Sequence, residues 1–144
     1  DDPERLKNIF AALREISREI AVVLPLHPRT RKIIAQQQIE SEGLLLIDPV
    51  GYLEMVYLLQ NCNLVMTDSG GLQKEAYFFH KLCLTMRDET EWVELVEQGF
   101  NRLVGADYQE IIKGFKLLAQ QQADFSQQLY GEGEASRLII EQLR

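Results

Sequence analysis

The chain has 144 residues, 46% of them hydrophobic and 26% charged, a balance that fits one folded domain with its own core and excludes a disordered or low-complexity segment. Its 22 acidic and 15 basic residues leave a net charge of −7 with the basic ones scattered, which argues against nucleic acid or a membrane surface as partner, since both need a clustered positive face. No apolar run is long enough to span a bilayer, and Asp1-Asp2-Pro3 carries no signal-like core, so the expected location is cytoplasmic.

Asp2 followed by Pro3 is a helix start, and Leu6, Ile9, Phe10, Leu13, Ile16 and Ile20 recur at three- and four-residue steps. The spacing predicts one helix with a single apolar stripe. Residues 21–26 read as a buried strand broken only by Pro25 and closed by His27-Pro28. A polar, basic helix follows over 30–38, and Gly43 leads into a second strand over 44–47, ended by Asp48-Pro49. Helical spacing returns over 52–61. A third strand over 64–67 hands over to a helix over 71–80, and a fourth strand over 83–86 precedes a short helix over 92–98 stopped at Gly99. The fifth strand, 102–104, ends at Gly105. Two amphipathic segments, 109–121 and 135–143, close the chain around the turn-rich Tyr130-Gly131-Glu132-Gly133. Strands alternating with helices predict an α/β protein. The expectation is a single Rossmann-like domain over 1–144, three layers in the order α/β/α, with a parallel sheet of about five or six strands.

In such sheets ligands bind beyond the carboxyl ends of the strands. The residues there are His27-Pro28-Arg29, Asp48-Pro49-Val50, Asp68-Ser69-Gly70-Gly71 and Arg87-Asp88-Glu89-Thr90-Glu91, while the opposite edge is far poorer in polar groups. The stretch from Leu64 to Ala76 is the most informative. It runs from an apolar strand through Ser69, Gly70 and Gly71 into a helix, so unpaired N–H groups and the positive end of the helix dipole face one spot suited to an anion. Ser69 adds a hydroxyl, and Glu75, a turn further on, can accept from a sugar hydroxyl. A bare serine-glycine-glycine is equally an ordinary corner with Ser69 as N-cap. His27 can simply cap a strand end, Arg87 can pair with Asp88 or another neighbouring acid, and Asp68 is expected to order the turn. Cys62 and Cys83 sit in apolar stretches, as buried thiols do. Neither a metal-ligand spacing nor a Ser-His-Asp or Cys-His order is present.

Several strings in order carry a resemblance that runs through nearly the whole chain. Thr67-Asp68-Ser69-Gly70-Gly71-Leu72-Gln73-Lys74-Glu75-Ala76, then Met86-Arg87-Asp88-Glu89-Thr90-Glu91-Trp92-Val93-Glu94, then Asn101-Arg102-Leu103-Val104-Gly105, together with Pro25-Leu26-His27-Pro28-Arg29-Thr30 and Tyr130-Gly131-Glu132-Gly133, closely resemble the C-terminal half of the non-hydrolysing UDP-N-acetylglucosamine 2-epimerases. Those enzymes are similar to GT-B glycosyltransferases, with the nucleotide sugar between two Rossmann-like domains. The resemblance implies that Ser69, Gly70 and Gly71 hold the diphosphate of UDP or UDP-GlcNAc, that Glu75 binds the ribose, and that the segment from Val50 to Met55 borders the uracil. His27 matches a histidine facing the cleft near a second UDP-sugar site, and Arg87 matches the arginine of the family's R-D-x-T-E string.

The implied reaction is loss of UDP with removal of the C2 proton, then re-addition with the proton returned to the other face. It uses no redox cofactor and no obligatory metal. The family's acid/base carboxylates belong to its N-terminal half, so no catalytic residue is expected in this chain, and that half is an expected partner. Such enzymes are commonly dimers, which makes a homodimer the other partner to expect. The first strand of the C-terminal half is expected to be missing or supplied from elsewhere. Lys74, Val50, Met55 and Glu132 depart from residues usual in relatives. Other readings that keep the fold are a stand-alone UDP-sugar-binding module, half of a GT-B glycosyltransferase, or half of a hydrolysing epimerase.

Overall fold

The computed structural model describes residues 2–131 and 133–143. Asp2 caps the first helix, α1 (Pro3–Ile16), by accepting from the N–H groups of Glu4 and Arg5, and α1 buries Phe10, Ala12, Leu13 and Ile16. The sequence pattern extends to Ile20, but the helix stops at Ile16. The Ser17 hydroxyl donates to the Arg14 carbonyl as the chain turns away, and Ile20 reaches the core from that turn.

The remaining elements alternate as expected: β1 (Val23–Pro25), α2 (Pro28–Gln36), β2 (Leu45–Ile47), α3 (Tyr52–Asn61), β3 (Val65–Thr67), α4 (Gly70–Phe78), β4 (Cys83–Thr85), α5 (Val93–Glu97), β5 (Asn101–Leu103), α6 (Tyr108–Gln120) and α7 (Ala135–Gln142). Every paired strand runs parallel to its neighbour. The strands are shorter than the apolar runs suggest, because three residues of each suffice for a ladder between the helices.

Two layers of helices enclose β4, whose three residues are all buried. Leu84 points to the side of α1 and α6, where it packs with Ala12, Ile16, Ile111, Phe115 and Leu118. Cys83 points to the other side, with Leu59 of α3 and Ala76 of α4. Each buried leucine or isoleucine among them contributes about 1.5–3 kcal/mol.

One expectation needs correction. The described strands do not form a single hydrogen-bonded sheet of five or six. They form two parallel ladders, β1-β2 and β3-β4-β5, and no ladder joins β1 to β3. Pairing between strands distant in sequence depends on what lies between them, which hydrophobic patterning does not report. The two parts are joined by packing instead. α1 supplies Phe10 and Leu13 to a cluster with Leu26, Ile34, Ile39 and Leu44, and Ala12 and Ile16 to the cluster around Leu84, while Met66 of β3 touches both. The β1-β2 ladder is also barer, with Val23 43% and its register partner Leu45 55% exposed.

Candidate functional site

β3 ends at Thr67, and its parallel neighbour β4 ends at the same level, so the loops after both strands rise from one edge of the sheet. Thr67 is buried, and its hydroxyl accepts from the N–H of Ser69 at 3.0 Å. The turn is therefore ordered by Thr67 and not by Asp68, and the Ser69 N–H is used inside the domain. Ser69 takes the extended N-cap conformation of α4, yet its side chain makes no capping hydrogen bond. The first-turn N–H groups of Gly70, Gly71 and Leu72 have no carbonyl four residues back to bond, so these three donors and the Ser69 hydroxyl remain for an acceptor from outside.

The two glycines serve different needs. A methyl group on Gly70 would fall 2.0 Å from Oε1 of Glu91 and 3.5 Å from Nη1 of Arg87, so only glycine lets the Arg87–Glu91 pair close over this residue. A methyl on Gly71 would meet nothing within 4 Å. The space over Gly71 is open at the point where the helix presents its donors, as an anion site requires.

Arg87 comes to the nest from the loop after β4. Its carbonyl accepts from the N–H of Gly105, whose φ of +57° suits glycine, and its Nη1 donates to Oε2 of Glu91 at 3.1 Å. The pair with Glu91 uses one of five guanidinium N–H groups, so Arg87 keeps donors for a phosphoryl oxygen. Asp88 does not compete for Arg87. It pairs with Arg5 of α1 at 3.0 Å, and this contact holds the Arg5 guanidinium above its ordinary pKa. Arg5, Asn8, Arg87, Asp88, Gly105 and Glu110 line an open groove of about 510 Å³ between α1 and the start of α6, which shares Arg87 with the nest but none of Ser69, Gly70 or Gly71.

A buried polar network supports the turn from below. Gln73 is 0% exposed; its Nε2 donates to the Ser69 carbonyl at 3.3 Å, and its Oε1 accepts from Thr90 Oγ1 at 2.6 Å and Asn101 Nδ2 at 2.8 Å. Thr85 Oγ1 in turn donates to Asn101 Oδ1 at 2.7 Å. Trp92 adds a donor from the side, its Nε1 lying 2.8 Å from the Gly70 carbonyl oxygen. Lys74 lies over the rings of Trp92 and Tyr130, with Nζ 4.7 and 4.2 Å from their centroids. Burial and the nearby Glu94 carboxylate push the Tyr130 phenol up.

The network roles of Gln73 and Trp92 escape a reading of the sequence alone, whereas the Arg87–Glu91 pair is a bond to a neighbouring acid of the kind the sequence allows. For Gln73 a signal exists, because it shares the inward stripe of α4 with Ala76 and Tyr77, where a polar residue needs partners. Nothing comparable marks Trp92 as a donor to the turn.

The other expected site residues divide. Glu75 is half-buried, four residues beyond Gly71 and so on the same face of α4, and its carboxylate makes no ion pair or hydrogen bond among the described residues. His27 follows the carboxyl end of β1 and caps α2 by accepting the Arg29 N–H at Nδ1 over 3.2 Å, so its capping and any ligand role fall to different ring nitrogens. Val50 lines a shallow apolar groove of about 370 Å³ with Ile47, Leu53, Tyr57 and Leu58. Met55 is not part of that lining. It packs inward against the cluster of Leu59, Val65, Ala76 and Cys83, which Leu72 of the nest also touches. Glu132 lies outside the described residues. No group of three or more His, Cys, Asp or Glu is placed to hold a metal among the described residues, and no described helix is long and apolar enough to cross a membrane.

Comparison with known proteins identifies the relatives of the chain. The family model of UDP-N-acetylglucosamine 2-epimerases matches residues 1–144. The UDP-2,3-diacetamido-2,3-dideoxy-D-glucuronate 2-epimerase of Pseudomonas aeruginosa is 54% identical over 144 residues, which are 99% of this chain and 40% of that protein. A UDP-N-acetylglucosamine 2-epimerase homolog of Methanococcus maripaludis is 42% identical, over 100% of this chain and 41% of its own length. Among solved structures, the UDP-GlcNAc 2-epimerase of Methanocaldococcus jannaschii in complex with UDP-GlcNAc and UDP superposes with a TM-score of 0.90 at 35% identity, covering 99% of this chain and 41% of that one. The chain thus spans well under half the length of the relatives it matches.

Proposed function

The chain belongs to the UDP-N-acetylglucosamine 2-epimerase family, and from that membership we propose that it is the nucleotide-sugar-binding, C-terminal half of a two-domain epimerase. The observation that carries this reading is the first turn of α4: three N–H groups and the Ser69 hydroxyl without an internal acceptor, open space over Gly71, and Arg87 alongside. The diphosphate of a UDP-sugar binds there. Glu75, on the face of Gly71, accepts from the ribose hydroxyls. Val50 borders the uracil from its groove, Met55 shapes that border from behind, and His27 faces the cleft with Nε2.

In the reaction the C1–oxygen bond to the diphosphate breaks as a base takes the C2 proton, leaving a C1–C2 double bond in the sugar. UDP then adds back and the proton returns to the opposite face. Negative charge grows on the departing diphosphate, and preorganised backbone donors with an arginine stabilise it without having to reorganise. The groups that move the proton reside in the other half, so this chain alone is inactive. The gap in pairing between β1 and β3 fits the same division, with the remainder of the protein supplying a strand there.

A second point concerns the sugar. Identity of 54% to a diacetamidoglucuronate epimerase, against 35% to a UDP-GlcNAc 2-epimerase of Methanocaldococcus jannaschii, favours UDP-2,3-diacetamido-2,3-dideoxyglucuronate as substrate of the parent enzyme. Calorimetric titration of the chain with UDP, and an epimerase assay on both nucleotide sugars with and without the N-terminal half, test the proposal. Saturable UDP binding with activity only in the reconstituted enzyme is expected. Turnover by the chain alone, or no UDP binding by the reconstituted enzyme, would refute it.

A further inference from the structure

Gly70 and Gly71 open α4 and are the two residues of the nest with the most backbone freedom, so hydrogen bonds to the carbonyls that share their peptide planes add to what the helix does to set the direction of their N–H groups. A trans peptide unit is planar, and its C=O and N–H point in opposite directions. The Gly70 carbonyl shares a peptide plane with the Gly71 N–H, and the Ser69 carbonyl shares one with the Gly70 N–H. Both carbonyls accept hydrogen bonds from inside the domain, the first from Trp92 Nε1 at 2.8 Å and the second from Gln73 Nε2 at 3.3 Å.

We infer that Trp92 is a positioning residue of the nest: by holding the Gly70 carbonyl, its indole N–H aims the Gly71 N–H at a bound diphosphate. The indole is itself held in place. Its backbone N–H donates to Thr90 Oγ1 at 3.1 Å, and that hydroxyl donates to Gln73, so the two ties belong to one network. Lys74 lies over its ring, and Tyr130 meets it edge-on with centroids 5.9 Å apart. Lys74, a departure from what relatives usually carry, thereby acquires a role one turn along α4 without touching the ligand. The inference rests on the diphosphate reading of the nest.

Trp92→Phe keeps the aromatic body and removes only the N–H. Titration of the 144-residue chain with UDP, pyrophosphate and uridine is expected to give about tenfold weaker binding of UDP and pyrophosphate and unchanged binding of uridine. Equal UDP affinity in the variant and the parent chain overturns the inference, and so does a parallel loss for uridine. Should Trp92→Phe fail to fold, Lys74→Met, which keeps the indole, decides: about threefold weaker UDP binding supports the inference, and no change overturns it. A parent chain that binds neither UDP nor pyrophosphate removes the diphosphate reading instead. The positioning role is then read in ligand-free nitrogen-edited spectra, where Trp92→Phe must shift or broaden the Gly71 amide and fails if that resonance is unmoved.

Discussion

Gly71 illustrates how a single residue separates stability from function. A methyl group there touches nothing, and alanine is a better helix former than glycine, so Gly71→Ala is expected to leave thermal stability unchanged or slightly higher. The same methyl occupies the space over the nest, and UDP affinity should fall about tenfold or more, measured by titration beside a thermal melt. A variant that binds UDP normally would show that the anion does not sit over Gly71. Cys83 gives a second residue-level expectation. Burial raises its thiol from an ordinary 9.0 to about 12, so the folded state holds a proton that the unfolded chain releases in that window. Stability is fully present below about 9 and declines as pH rises toward about 12, and Cys83→Ala should flatten that decline in denaturant titrations. What the sequence made readable at this scale was the set of groups at the strand ends, because Ser69, Gly70, Gly71 and Arg87 sit in local patterns. The bonds from Gln73 and Trp92 to the turn were not readable, since they cross 4 and 22 residues and depend on side-chain directions that spacing does not give.

At the scale of elements, α4 is fixed by a polar spine as much as by apolar packing. Gln73 links α4 to the loop before α5 and to β5, and a buried amide in that place cannot be replaced by a hydrocarbon without stranding Thr90, Asn101 and the Ser69 carbonyl. Gln73→Leu should therefore cost about 2–3 kcal/mol in a denaturant unfolding curve, and a cost near zero would mean that the network is dispensable. α6 depends on close approach: a methyl on Gly114 would lie 2.5 Å from Leu84 Cδ1 and 3.1 Å from Val104 Cγ1, so Gly114→Ala is expected to lower stability by about 1–3 kcal/mol. α7 behaves in the opposite way. It buries no residue, and Leu138, Ile139, Ile140 and Leu143 are each more than half exposed, so a chain ending at residue 134 should melt at the same temperature. Element order followed directly from hydrophobic periodicity. The end of α1 at Ile16 did not, because Ile20 keeps the apolar rhythm while Ser17 already bonds back to Arg14.

For the whole molecule, the central tension is a chain of net charge −7 read as a ligand site for an anion. The resolution is local: backbone N–H groups at one helix start, with Arg87 beside them, supply positive potential that the total charge does not cancel at short range. The three-layer arrangement brings those groups to one edge by placing parallel strands side by side, and the layers could be inferred from the alternation of strands and helices. The division of the strands into two ladders could not, because the pairing of β1 with β3 is a property of the sheet and not of either strand. The most direct measurement is a nitrogen-edited titration of the chain with UDP. The account predicts saturable shifts of the Gly70, Gly71 and Leu72 amides that pyrophosphate reproduces, whereas saturable shifts that leave those three amides unmoved would contradict it.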